Sequence, residues 1–264
     1  MDLGQAVFLA LLQGITEFLP VSSSAHLILP AQLLGWEDQG LAFDVAVHVG
    51  TLVAVLLYFR KDLLVMAGAW VSSVLGGCST QESKLVWLLL LATVPAGLAG
   101  LLLNEQIETS MRSVLVIAIA TLVFGIGLYI AERYSSKDRE IAQLRWQGAL
   151  VIGLFQMLAL IPGTSRSGIT ITAGLMLGLN RTASARFSFL LSIPVILGAG
   201  LLKTLELLQL ESVDWSGLIL GAVIAFFSAY LAIDCFLKLI DRVGLLPFVV
   251  YRLVLGVVLL LIVL

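Results

Sequence analysis

The chain is poor in charge. Of its 264 residues only 12% are Asp, Glu, Lys or Arg, where an ordinary soluble domain carries roughly 25%, and 60% are hydrophobic. A soluble fold of this length has no core large enough to hide that much apolar surface. Cysteine is scarce too, with only Cys78 and Cys235, so neither a disulfide framework nor a thiolate metal site can be built. No basic run interleaved with aromatics occurs, and the 15 Lys and Arg nearly cancel the 17 Asp and Glu. Affinity for a polyphosphate backbone therefore has no electrostatic source, which excludes nucleic acid as a partner. The first Lys or Arg is Arg60, so the apolar beginning lacks the positive flank of a signal peptide and is expected to stay in the mature protein.

What is present in abundance is apolar runs of membrane-crossing length. Mean hydropathy is +1.08, and about 20 apolar residues suffice to cross a hydrocarbon slab. Runs bounded by charge fall near 43–59, 85–103, 113–131, 186–202, 217–237 and 247–264, which predicts an all-α integral membrane protein with about six transmembrane helices. Residues 63–78 are apolar but short and rich in Gly and Ser, and are expected to lie at the interface or partly inserted.

Two further stretches do not read as spans. Residues 5–35 are interrupted by Gln13, Glu17, Pro20, Ser22, Ser23, Ser24 and His26, and 147–178 by Pro162 through Gly168. Each reads as helix, polar tip, helix. A run such as 5–18 covers about 21 Å at 1.5 Å per residue, short of a bilayer near 30 Å, so each pair is expected to enter and turn back. Setting Pro20 on Pro162 places Ser23 on Ser165 and span 43–59 on span 186–202. The single membrane domain, 1–264, thus reads as two copies, about 1–131 and about 147–264. Three spans per copy make the second copy inverted.

Threading six crossings puts eleven Lys and Arg on one side, from Arg60 to Arg242, and only Arg112 and Lys203 opposite, with Glu105, Glu108, Glu206, Glu211 and Asp214. The eleven mark the cytoplasmic side. Both termini are then expected outside, with the Glu17 tip entering from outside, the Arg166 tip from the cytoplasm, and the two meeting at mid-membrane.

A charge at that depth costs at least about 2.5–3.5 kcal/mol, so Glu17 and Arg166 must pair, face water or serve chemistry. Gln13 and Glu17 share a helical face and can offer an amide and a carboxylate to one cation or ligand. Pro20 stops the first half-helix, and Ser22 to Ser24 are of the type that caps the next. A helix start aimed into low dielectric offers unpaired amides to an anion. His26 lies one turn from Ser22 and Ser23, within reach to take or give a proton. In the second tip Gly163 shapes a turn, while Ser165, Ser167 and Thr170 place hydroxyls around Arg166, which can clamp phosphate oxygens. The pattern fits a phosphate cradle lined by Ser22, Ser24, Gly163, Ser165, Arg166, Ser167 and Thr170. A buried ion pair locking two capped half-helices together accounts for the same residues.

Other polar positions read as structural. Asp234 and Arg252 fall near cytoplasmic span ends where pairing or snorkelling satisfies them, Asp44 and His48 at the outer end of a span, and the five Trp near span ends.

The strings Gln-Gly-Ile-Thr-Glu-Phe-Leu-Pro-Val-Ser-Ser-Ser-Ala-His (13–26) and Pro-Gly-Thr-Ser-Arg-Ser-Gly-Ile-Thr (162–170) closely resemble the two signatures of the undecaprenyl-diphosphate phosphatase family, known for bacitracin resistance. The resemblance covers essentially the whole chain. It implies a bacterial inner-membrane hydrolase that converts C55 isoprenyl diphosphate to the monophosphate, recycling the lipid carrier of peptidoglycan synthesis, with a divalent cation such as Mg or Ca. By position it gives catalytic roles to Glu17, Ser23, His26 and Arg166, with Ser165 and Thr170 in the second motif. Gln13 stands where some members have Glu, which leaves one carboxylate in the first motif. A cation held by Glu17 and Gln13 would then lean on the diphosphate oxygens. Attack by Ser23, water activated by His26, and attack by His26 itself all remain open. So does a second class of function, a transporter or flippase for an anionic lipid, because broken helices meeting at the midplane also serve carriers. The isoprenoid tail is expected to leave between apolar helices near Ala96, Gly97 and Gly100.

Overall fold

The computed structural model describes residues 2–207 and 215–264, with the side chains of 104–109 and 204–207 outside that description. Glu211 and Asp214, and the side chains of Glu105, Glu108 and Glu206, which entered the sidedness argument, therefore lie outside the described residues. The chain runs α1 (Leu3–Phe18), α2 (Ser23–Leu34), α3 (Gly40–Tyr58), α4 (Arg60–Val74), α5 (Gln81–Ser110), α6 (Val114–Tyr134), α7 (Trp146–Met157), α8 (Arg166–Met176), α9 (Arg181–Leu207), α10 (Trp215–Val243) and α11 (Leu246–Val263).

Six of these are long and apolar enough to cross a membrane, and they match the expected spans: Gly40–Tyr58, Gln81–Leu103, Val114–Tyr134, Arg181–Lys203, Trp215–Val243 and Leu246–Val263. The protein is an all-helical, multi-pass membrane protein. Helix α4 covers the run expected at the interface. It packs on α5, and Trp70 meets Trp87 edge to face with ring centroids 5.7 Å apart.

The two remaining apolar helices, α1 and Trp146–Leu160, are too short to count as spans. Helix α1 begins on a capping box between Asp2 and Gln5 and ends where Leu19, extended at φ −73° and ψ 146°, precedes Pro20. Helix α7 closes with a 3₁₀ turn, Leu158–Leu160, before Pro162. Both are wedged against long helices, α1 on α10 and α7 on α5. Glycine sets each approach: a Cβ on Gly14 would fall 2.6 Å from the Ala225 carbonyl oxygen, and one on Gly153 would fall 2.6 Å from that of Ala92. Exchanging α1 with α7, α3 with α9 and α10 with α5 maps the α1–α10 packing onto α7–α5 and α3–α10 onto α9–α5. An internal repeat requires that relation.

The register between the two tips differs by one residue from the one the prolines suggest. The residues with matching geometry are Ser22 and Ser165, not Ser23 and Ser165. Both are N-caps with positive φ, 76° and 72°. The same shift pairs Gln13 with Gln156, both buried. The cap, not the proline, defines the bend.

Candidate active site

Each tip is built around its cap serine. Ser22 Oγ accepts the Ala25 amide at 3.4 Å and Ser165 Oγ that of Gly168 at 3.1 Å, and each hydroxyl lies 3.2 Å from a second serine, Ser24 or Ser167. A non-glycine residue in the left-handed region costs about 1–3 kcal/mol and persists only where its surroundings hold it. The bend starts α2 and α8 abruptly, which leaves their first amides unspent by the helix.

The tips touch. Ser167 Oγ donates to the Leu19 carbonyl at 2.8 Å, across 148 residues of sequence. Glu17 and Arg166 form the expected pair, Nη2 to Oε1 at 2.9 Å, and both side chains are largely buried. The other carboxylate oxygen, Oε2, accepts Ser23 Oγ at 2.7 Å and Gln13 Nε2 at 3.0 Å. Arg166 also donates from Nη1 to the Ser188 carbonyl, and its guanidinium carbon lies 5.9 Å from the Phe18 ring centre. Phe18 itself is fully buried and packs edge to face on Phe189. Thr170 Oγ1 serves its own helix, bonding the carbonyls of Arg166 and Ser167, and meets Ser188 Oγ at 2.7 Å. Glu17, Ser23, Arg166, Ser167 and Thr170 are thus brought together. Ser23 is half-buried and Ser24 exposed, while Gln13, Ser22, Gly163, Ser165, Ser167 and Thr170 are buried.

Arg252 corrects a sequence expectation. It does not snorkel toward a span end: it is fully buried, and its guanidinium clasps backbone carbonyls of both tips. Nη1 donates to Thr164 at 2.8 Å and Pro20 at 3.4 Å, Nη2 to Gly163 at 2.9 Å, and Nε to Thr121 on α6 at 3.3 Å. The reason is that two broken helices expose carbonyls inside the protein, and an arginine deep in α11 answers them. Asp234 follows expectation by pairing with Lys238 at 2.7 Å. Gly163 carries φ 94°, and a Cβ there would fall 2.5 Å from the Ile117 carbonyl oxygen. It makes the turn that presents its own carbonyl to Arg252 and Thr121.

Among the described residues His26 makes no hydrogen bond to Ser23 or Glu17. Its Nδ1 lies 2.7 Å from the Ser22 carbonyl and must donate to it, which leaves Nε2 to accept from the Tyr251 hydroxyl. The ring also stacks on Tyr251, 13° from parallel. His48, expected to be structural, turns Nε2 toward Glu17 Oε2 at 3.9 Å while Nδ1 donates to the Asp44 carbonyl. Tyr251 lies inside an apolar span with no motif beside it, and His48, read as structural, stands at the outer end of another. Their signal was only that a polar group inside a span needs a partner.

The donors here do not fit a resident Mg or Ca. Among the described residues no group of three or more His, Cys, Asp or Glu side chains could hold a metal ion. Both oxygens of Glu17 are committed, one of them to a guanidinium. What is uncommitted is Gln13 Oε1, buried and without a hydrogen-bond partner, and likewise Thr164 Oγ1 in the second tip.

A family model described as "Bacitracin resistance protein BacA" matches residues 6–258. A protein of Pseudoalteromonas translucida named undecaprenyl-diphosphatase 1 is 58% identical over 258 residues, 97% of each chain. One from Alteromonas mediterranea named undecaprenyl-diphosphatase is 57% identical over 261 residues, 98% of each chain.

Proposed function

The chain belongs to the bacitracin resistance protein BacA family, and from that premise we propose that it hydrolyses undecaprenyl diphosphate to undecaprenyl phosphate and inorganic phosphate. The observation that carries the reading is the hydrogen bond from Ser23 Oγ to Glu17 Oε2, with Arg166 on the other oxygen of the same carboxylate. A hydroxyl held by a carboxylate beside a fixed positive charge is a nucleophile, a base and an anion clamp in one cluster. A carrier needs the clamp and has no use for the nucleophile, so the site favours hydrolysis over transport.

In this reading the diphosphate sits between the starts of α2 and α8. Ser23 Oγ attacks the terminal phosphorus, its proton passes to Glu17 Oε2, and the bridging P–O bond breaks to release isoprenyl monophosphate. Water then opens the phosphoserine, giving inorganic phosphate and returning the proton to Ser23. Arg166 keeps N–H donors beyond those spent on Glu17 and Ser188 for the phosphoryl oxygens as charge gathers on them. Arg252 acts one layer back by fixing the tip backbone. His26, spent on Ser22 and Tyr251, orients the start of α2. Ser22, Ser24, Ser165, Ser167 and Thr170 shape the cradle, with Ser24 its most accessible hydroxyl. The family resemblance implies a divalent cation for this reaction.

The site lies at the midplane of the bacterial inner membrane, both termini face outward, and the headgroup enters from the outer side. The 1–131 and 147–264 repeats place the two tips against one another. A Ser23→Ala protein purified in detergent should release phosphate from undecaprenyl diphosphate about 10²–10⁴-fold more slowly than the natural chain, the range expected for losing a positioned catalytic group. Unchanged release would move the nucleophile to water.

A further inference from the structure

The implied divalent cation has no resident place among these side chains, and we infer from that mismatch that the ion enters with the substrate, as a metal–diphosphate complex, and meets the protein at Gln13 Oε1. The inference rests on the phosphatase reading and adds to it where the ion comes from.

A hard dication wants about six oxygens in near-octahedral array and is usually held by one or two carboxylates together with substrate phosphates. This site offers a single carboxylate already spent three ways. Oε1 accepts Arg166 at 2.9 Å, and Oε2 accepts Ser23 at 2.7 Å and Gln13 at 3.0 Å. A free cation would have to break those bonds and then sit against a guanidinium. His48 Nε2 is 3.9 Å from Oε2, and an imidazole suits softer ions than Mg or Ca. A diphosphate brings the missing oxygens and the missing negative charge together, and its own charge offsets Arg166. Gln13 supplies the one amide oxygen beside Glu17 that is left for such a complex. Its Nε2 is fixed on Glu17, so Oε1 points away from that carboxylate, fully buried and with no hydrogen-bond partner.

The test measures binding and needs no turnover. The full chain in detergent micelles is equilibrated with Mn²⁺, with and without methylenediphosphonate, and the ion and the diphosphonate retained with the protein are counted. Retention of Mn²⁺ should be at least about ten-fold tighter with the diphosphonate present, a gap of ~1.4 kcal/mol or more, and the two should be retained in equal amounts. Gln13→Glu, which restores a second carboxylate one turn from the first, should bind Mn²⁺ alone. Saturable Mn²⁺ binding by the natural chain without diphosphonate, lost in Glu17→Gln, would overturn the inference. So would diphosphonate bound without metal, or a Gln13→Glu chain as blind to free Mn²⁺ as the natural one. Retention of neither probe would strike the phosphate pocket itself, and with it the phosphatase reading.

Discussion

At the scale of single residues, buried polar atoms set the terms. Arg252 donates to three tip carbonyls, those of Pro20, Gly163 and Thr164, and to that of Thr121 in α6, and each buried carbonyl left unpaired costs about 1–3 kcal/mol. Arg252→Met should therefore lower the thermal midpoint in detergent markedly as well as abolish phosphate release. Arg252→Lys, a point donor without the fork, should recover only part of either. An unchanged midpoint would mean that water replaces the guanidinium and that the tips hold without it. Tyr251→Phe removes the donor to His26 Nε2 while keeping the stacked ring. It should leave folding intact and lower kcat by no more than about ten-fold, well short of the 10²–10⁴ expected for Ser23→Ala. A Tyr251→Phe chain as impaired as Ser23→Ala would place the tyrosine itself in the chemistry.

At the scale of elements, two short helices are held against two long ones at glycine contacts. Gly153→Val would drive a side chain into the Ala92 backbone and should destabilise by about 1–3 kcal/mol, the usual cost of overpacking, read as a lower unfolding midpoint. The caps give a finer contrast. Ser165→Ala loses the Oγ bond to the Gly168 amide and keeps the strained backbone, whereas Ser165→Gly loses the bond and relieves a φ of 72°. Glycine should be the milder replacement, by up to about 1 kcal/mol; the reverse order would show that the hydroxyl matters more than the backbone. At this scale the sequence was informative where composition sets the outcome. Six spans and the two interruptions followed from apolar runs and from polar residues that hydrocarbon would not tolerate. The one-residue slip between tips did not follow, because a positive φ at serine leaves no mark in residue type, and the prolines that do leave one are not at equivalent points of the bends. Arg252 was visible as a residue and misplaced in depth: its partners are carbonyls, which every residue has and no pattern announces.

At the scale of the whole molecule, the proposed function rests on sidedness and on the union of two halves. With Cys78 and Cys235 replaced by serine, a cysteine at position 24 should react with a membrane-impermeant maleimide added outside intact cells, since Ser24 is the exposed member of the first tip. Reaction only after the cells are opened would reverse the orientation and the route of entry. The pair Glu17–Arg166 was legible from the rule that buried charges need partners, and the geometry gave it a third member, Ser23. In the proposed function Glu17 and Arg166, 149 apart in sequence, act as one catalytic unit. Phosphate release from undecaprenyl diphosphate should be measured for the natural chain, Glu17→Gln, Arg166→Met and the double variant. Groups acting as a unit are strongly non-additive, so each single change should cost about 10²–10⁴-fold and the double little more than the worse single. Release that multiplies the two losses, or a single variant that keeps the natural rate, would contradict the account.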